Sequence, residues 1–142
     1  MGYTHYYTIK EKLTQEEIDK IANDFEIIRL KAADNNINIL TADGSNEYTY
    51  PDAEGDFSFN GDGHQGQACE SFWLSSDAEG FCFCKTKYRN YDLAVIATFQ
   101  LINFYAPGKV TFSSDGDKDD WLYGMRFYHE CFPDREAIYL PE

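Results

Sequence analysis

The chain has 142 residues, 43% of them hydrophobic, and a formal net charge of −13. That is enough apolar mass for one folded core, which excludes an acidic disordered tail. Twelve Lys and Arg against 25 Asp and Glu also argue against a protein that coats phosphates, so neither direct nucleic-acid binding nor docking on anionic membranes is expected.

In chain order, residues 3–9 alternate as a strand, with Tyr3, His5 and Tyr7 on one face and Thr4, Tyr6 and Thr8 on the other. A helix starts at Thr14, where Thr14-x-x-Glu17 forms a capping box, and ends near residues 34–36. Ile18, Ile21, Ala22, Phe25 and Ile28 form its apolar stripe, while Glu16, Asp19, Lys20 and Asp24 are expected in water. Residues 37–40 are a short strand. Residues 42–55 are turn-rich, with Asp43-Gly44 and Pro51-Asp52 as turn signals and a brief pairing expected at residues 48–50. Strands follow at 56–60, 70–74 and 81–86. In the last, Phe81, Phe83 and Lys85 share one face and Cys82, Cys84 and Thr86 the other.

Residues 92–105 are apolar nearly all round, which predicts a central buried helix stopped by Pro107-Gly108. Asp92 suits the positive end of its dipole. A strand at 109–113 leads into Ser113-Ser114-Asp115-Gly116. Asp117 then caps a helix over 118–132, with Trp121, Leu122, Met125 and Tyr128 as the expected stripe. The expectation is a single α+β domain over residues 1–142: a mainly antiparallel sheet with about three helices.

No run of about 18 apolar residues exists, and MGYTHYYTIK lacks the apolar region of a signal peptide, so a cytoplasmic location is expected. Position 6 holds Tyr, which argues against myristoylation at Gly2. Cys69, Cys82, Cys84 and Cys131 read as free thiols. A zinc set drawn from Cys69, Cys82, Cys84 and His64 matches no usual spacing, so no metal or cofactor is expected. Asp115, Asp117 and Asp119 imitate the start of an EF-hand loop, but Asp120 and Arg126 stand where that loop needs Gly and Glu.

The residues that carry polar chemistry cluster where strands end. Lys85 and Thr86 close one strand, and Ser114 and Asp115 open the turn after another. Asn60 lies in the Ser-Phe-Asn-Gly-Asp segment, and Tyr3 and His5 stand on the first strand. Lys85, Thr86, Ser114 and Asp115 are expected to meet at one sheet edge near Tyr3 or His5, forming a polar pocket with aromatic walls. The crowd of aspartates at 115–120 repels phosphate there and favours hydroxyls, amino groups or a cation. Glu70 is a candidate buried acid. The sequence shows no nucleophile elbow, phosphate loop or Ser/His/Asp arrangement, so no catalytic residue is assigned.

Several blocks occur in a specific order: MGYTHYY at the start, Ser58–Asp62 as SFNGD, Glu70-Ser71-Phe72, Phe81–Asp92 as FCFCKTKYRNYD, and SSDG with the downstream Trp121. Together they resemble a family of small, largely uncharacterised proteins of bacteria and their phages. The departures are Tyr7 where that family has Trp, Ser71 for Thr, Cys82 for an acid, and a shorter insert before Cys69.

The resemblance, the small size, the absence of catalytic motifs and the aromatic-rich polar loops together lead to the expectation of a phage-type binding protein. It would hold a small polar or nucleotide-like ligand, such as an immune signal, and sequester it without chemistry. Tyr3, His5, Asn60, Lys85, Thr86, Ser114 and Asp115 are the expected ligand contacts, and a homo-oligomer would build the pocket at a subunit interface. Two alternatives stand beside this: an acidic protein inhibitor or DNA mimic aimed at a host defence protein, and a nucleotide-processing enzyme using Glu70, Asp92 or Asp115 as acid and base.

Overall fold

The computed structural model describes residues 3–43 and 51–142. Gly44 of the expected turn and the pairing expected at residues 48–50 lie outside the described residues. The order is β1 (Thr4–Ile9), α1 (Gln15–Asp34), β2 (Ile39–Leu40), β3 (Phe57–Gly61), a short 3-10 turn (Gly63–Gln65), β4 (Phe72–Leu74), β5 (Gly80–Lys85), α2 (Asp92–Tyr105), β6 (Val110–Ser114) and α3 (Lys118–Cys131). The fold is α+β.

Local chemistry sets the helix ends. Thr14 caps α1 and Asp117 caps α3, each through a complete capping box with Glu17 and Asp120 respectively. No side chain caps α2, although Asp92 lies in its first turn. Gly108 follows α2 with φ +83, a conformation that glycine adopts without steric cost.

The strands form two three-stranded antiparallel sheets, β5-β1-β6 and β2-β3-β4, where the sequence suggested one. The division has a visible cause at Glu70. Its N–H donates to the Lys85 carbonyl at 3.0 Å, and its carboxylate accepts the Lys85 N–H at 2.8 Å. One residue thus occupies the end of the β5 edge that β4 would otherwise pair. Glu70 is exposed, which corrects its reading as a buried acid. At the opposite edge, the Glu142 N–H donates to the Phe112 carbonyl.

The inner face of the first sheet carries Tyr3, His5, Tyr7, Ile9, Cys84 and Phe112, all buried. Against the core lies α2, buried at every residue from Leu93 to Ile102 and packed on both α1 and α3. Phe99 touches His5, Tyr7, Phe72, Phe112 and Trp121 through ring contacts. Burying one such side chain contributes about 1.5–3 kcal/mol.

Two face assignments, on α1 and α3, are corrected, and the solvent-facing side of β5 is decided. Asp24 is buried, because it accepts hydrogen bonds from Tyr105 and Arg135. The buried stripe of α3 is Trp121, Gly124, Phe127 and Tyr128, with Leu122 exposed. Gly124 sets that rotation: a Cβ there would lie 2.8 Å from Ile96, so only a hydrogen lets α3 approach α2. Finally, Cys84 faces the core and Phe81 and Phe83 face solvent.

Candidate functional site

The start of β1 lies between the ends of β5 and β6. His5 is paired with Cys84 on one side and Ser114 on the other. The Thr86 N–H donates to the Tyr3 carbonyl at 3.0 Å, folding the chain after β5 back across the end of β1. The next turn delivers Asp92 at the start of α2. Four of the expected residues, Tyr3, His5, Thr86 and Ser114, are therefore brought together, with Asp92 and Trp121 added by the helices.

The other three are placed differently: Lys85 and Asp115 flank Thr4 at the same end of the sheet but on its outer face, and Asn60 lies in the other sheet. Lys85 pairs with Thr4 and alternates onto the outer face, one residue after buried Cys84. Asp115 closes the outer end of β1, where it accepts the Thr4 N–H and the Tyr6 hydroxyl, both at 3.0 Å. Asn60 belongs to the second sheet. Its Oδ1 accepts the N–H groups of Gly61 and Cys69, and its Nδ2 donates to the Cys69 carbonyl and Ser71. That side chain is committed to stitching a loop.

At the centre is a relay that short-range sequence motifs did not reveal. His5 is fully buried; its Nδ1 lies 2.9 Å from Ser114 Oγ and its Nε2 lies 2.7 Å from Asp92 Oδ1. Ser114 Oγ also accepts the Gly116 N–H at 2.9 Å and the Trp121 indole N–H at 3.1 Å. These two donors occupy both hydroxyl lone pairs, so the Ser114 hydrogen is directed at His5 Nδ1. His5 Nε2 then carries the other hydrogen and donates it to Asp92. Asp92 Oδ1 accepts the Thr86 hydroxyl as well.

A Ser-His-Asp chain invites comparison with nucleophilic catalysis. The nucleophile must offer a lone pair to substrate. Ser114 has none left, and His5 has no exposed surface. The relay therefore acts as a brace that fixes Asp92 in one orientation.

Beside the brace is a cleft of about 300 Å³ between the β5–α2 loop and α3, with Tyr88, Arg89, Asn90, Asp92, Asp120 and Tyr123 in its lining. The hydrogen bonds that His5 and Thr86 donate to Asp92 both fall on Oδ1. Asn90 Oδ1 is buried without a partner. The cleft therefore offers acceptors in excess. Tyr88 and Tyr123 are exposed and supply ring surface, and Arg89 supplies one exposed cation.

Tyr88 is held unusually. Lys87 and Tyr88 both have left-handed φ, +52 and +61. Each non-glycine residue in that region costs about 1–3 kcal/mol and persists only where its surroundings offset that cost. Here the Tyr88 ring stacks on Tyr3 with centroids 3.7 Å apart. Tyr3 is buried, and its hydroxyl lies beside the Ser114 hydroxyl without a well-formed hydrogen bond. Burial pushes the Tyr3 phenol well above its ordinary pKa, reinforced by Asp92 and Asp120. The Tyr88 phenol is pushed up too, by desolvation first and then by Asp120, Asp92, Asp115 and Asp117. The mouth of the cleft is thus a region of negative potential.

Sequence reading missed Tyr88, Asn90 and Asp120 as cleft residues, and weighed Asp92 only as a helix-end or acid–base group. The backbone conformation that presents Tyr88 has no signature in Lys87-Tyr88, since neither is glycine.

A larger open groove, about 670 Å³, runs between α3 and residues 133–137. Its Arg135 is already bound to Asp24 and lies over Phe104 and Phe132, so its charge serves the tail's attachment. Among the described residues no group of three His, Cys, Asp or Glu is arranged to hold a metal ion, and no helix is long and apolar enough to cross a membrane. Compared with known proteins, the chain matches no family, no curated protein and no solved structure.

Proposed function

We propose that this protein is a non-catalytic binding domain for a small ligand that combines a planar ring with a hydrogen-bond-donating edge. The carrying observation is the cleft in which Asp92, Asp120 and the unpartnered Asn90 Oδ1 lie beside two exposed tyrosines. Amino groups, ring N–H groups or hydroxyls of a ligand complete these acceptors, and its ring packs on Tyr88 or Tyr123. Of these acceptors, only the buried Asn90 Oδ1 lacks a partner within the protein, and a ligand donor there would remove the cost of leaving it unpaired.

The narrower form of the proposal is a nucleotide-like immune signal, withheld from a host defence by a phage-type protein. Its support is the resemblance of the motif blocks and the placement of Arg89. The base would face the carboxylates, and the phosphate would remain at the rim with that guanidinium, away from Asp115 and Asp117.

Calorimetry with nucleosides, nucleotides and aromatic amines, with mass analysis of the recovered compound, tests both forms. Capture predicts saturable binding and return of the compound unchanged. Tyr123→Ala should weaken binding about tenfold, corresponding to about 1.4 kcal/mol. For a nucleotide, Arg89→Ala should cost about 1.5–3 kcal/mol, while the matching nucleoside is unaffected. A chemically altered product would replace capture with catalysis, and equal binding by the Tyr123 variant would move the site elsewhere.

A further inference from the structure

A second surface lies away from the cleft, on the outer face of the β5-β1-β6 sheet. Phe81 is 65% exposed and Phe83 55%, and Trp73 of β4 is 50% exposed. Tyr6 stacks on Phe81 with centroids 5.8 Å apart, and Phe81 and Phe83 are neighbours at 6.1 Å. Scattered single aromatics on a surface need no explanation, but a run of adjacent rings marks a contact site.

The run continues into a groove of about 300 Å³ at the β5 edge, where Phe83 and Trp73 form walls with Cys82 and Asp56. The groove is electrostatically one-sided. Asp56 lines it, the Asp52 carboxylate accepts the Asp56 N–H at 2.9 Å, and after desolvation Asp52, Glu54 and Asp77 push the Asp56 pKa up further, so the charge gathered around Asp56 is negative. The lysine of this face, Lys85, pairs with Thr4 at the far end of the strand from Phe81.

Rings bounded by carboxylates match a long cationic side chain. Its methylene stem packs along an aromatic face, its head is attracted by the ring, and a carboxylate accepts its N–H groups. An anionic lipid surface would be repelled, and so would a second copy of a chain carrying −13.

We propose that this aromatic face and its groove dock a basic protein segment, with Arg or Lys side chains lying along Trp73 and Phe83 and ending at Asp56. Arginine is favoured over lysine, because its planar head stacks on a ring and grips a carboxylate with two N–H groups. The surface operates independently of the cleft beside His5, and failure of either leaves the other standing.

The chain has two tryptophans, and Trp121 is fully buried, so a change in emission on binding reports Trp73. The probe is a nona-arginine peptide, titrated by intrinsic fluorescence and by calorimetry, with nona-lysine and nona-glutamate alongside. The expected result is a saturable emission change with nona-arginine, a weaker one with nona-lysine and none with nona-glutamate. Asp56→Asn and Phe83→Ser should each lower nona-arginine affinity about tenfold, and Trp73→Phe should abolish the signal. Phe83 is exposed, so its variant keeps the fold; an unchanged thermal melt checks this.

Association detected by calorimetry with no change in emission, or unaffected by Phe83→Ser, would reduce the interaction to diffuse attraction and overturn the proposal. Sedimentation equilibrium showing a dimer that Phe83→Ser dissociates would assign the face to a second copy and overturn it equally.

Discussion

On the inner face of the β5-β1-β6 sheet, His5 is fully buried among Tyr3, Trp121 and Phe99; on the outer face of the same strands, Phe81 and Phe83 stand in solvent. Judged by residue type alone, these positions would be exchanged. His5 is tolerated inside because both ring nitrogens have partners, and those partners are themselves held by Trp121, Gly116 and Thr86. The phenylalanines remain outside because, among the described residues, no helix packs over that side. Burial here follows from what each face must contact, and the most informative residues are the ones on the unexpected side.

The largest effect that would sharpen this contrast comes from Phe99, the ring against which the inner face packs. Phe99→Ala should destabilise the protein by about 3–5 kcal/mol. A loss below about 1 kcal/mol in urea unfolding would show that the inner face is not the core.

His5→Leu tests the brace itself. It preserves apolar volume but leaves Asp92 and Ser114 short of a partner, at about 1–3 kcal/mol for each group that stays buried. Stability should fall by about 2–4 kcal/mol, with ligand affinity reduced at the cleft. Equal stability in thermal melts would mean that the network is dispensable.

Gly116→Ala probes the tightest contact of the inner face. Its Cβ would sit 2.2 Å from the hydroxyl of Tyr3, whose buried ring stacks on Tyr88. A cost of about 1–3 kcal/mol is expected from overpacking, together with a change in Tyr88 mobility measurable by NMR relaxation.

The sheet is also tied to α1 through charge. Partial burial pushes the Glu17 carboxyl upward, but the 2.8 Å bond from Lys109 and the Thr14 contacts outweigh it and hold it below the usual range. A depressed folded pKa means that the stabilisation is present above the unfolded carboxylate value and is lost as pH falls through the folded one. The acid limb of the stability curve should therefore flatten in Glu17→Gln. An unaltered limb would assign acid sensitivity to other carboxylates.

The smallest effect belongs to the outer face. Phe81→Ser should change unfolding free energy by no more than about 0.5 kcal/mol. A loss comparable to that of Phe99→Ala would show the two faces to be energetically alike and end the comparison.

The sequence by itself determined the elements whose signals are short-range. The Thr14 and Asp117 caps, the alternation of residues 3–9 and the apolar run of α2 all depend on neighbours within about one helical turn. They place β1, α1, α2 and α3 close to their observed bounds. It also led to the expectation that Lys85, Thr86, Ser114 and Asp115 meet at one sheet edge near Tyr3 or His5, since each lies where a strand gives way to a loop; the structure gathers Thr86 and Ser114 around His5 and Asp92 and leaves Lys85 and Asp115 on the outer face.

Tertiary structure decided the rest. Which face of β5 is wet depends on where the helices pack, so alternation could pair Phe81 with Phe83 but not say that both face water. Asp24 is buried only because Tyr105 and Arg135, 81 and 111 residues away, reach it. The brace joins His5 to partners 87 and 109 residues distant, and the cleft beside it depends on two left-handed residues at Lys87 and Tyr88. Contacts over such separations are set by the packing of the whole chain, and no local pattern of residues encodes them.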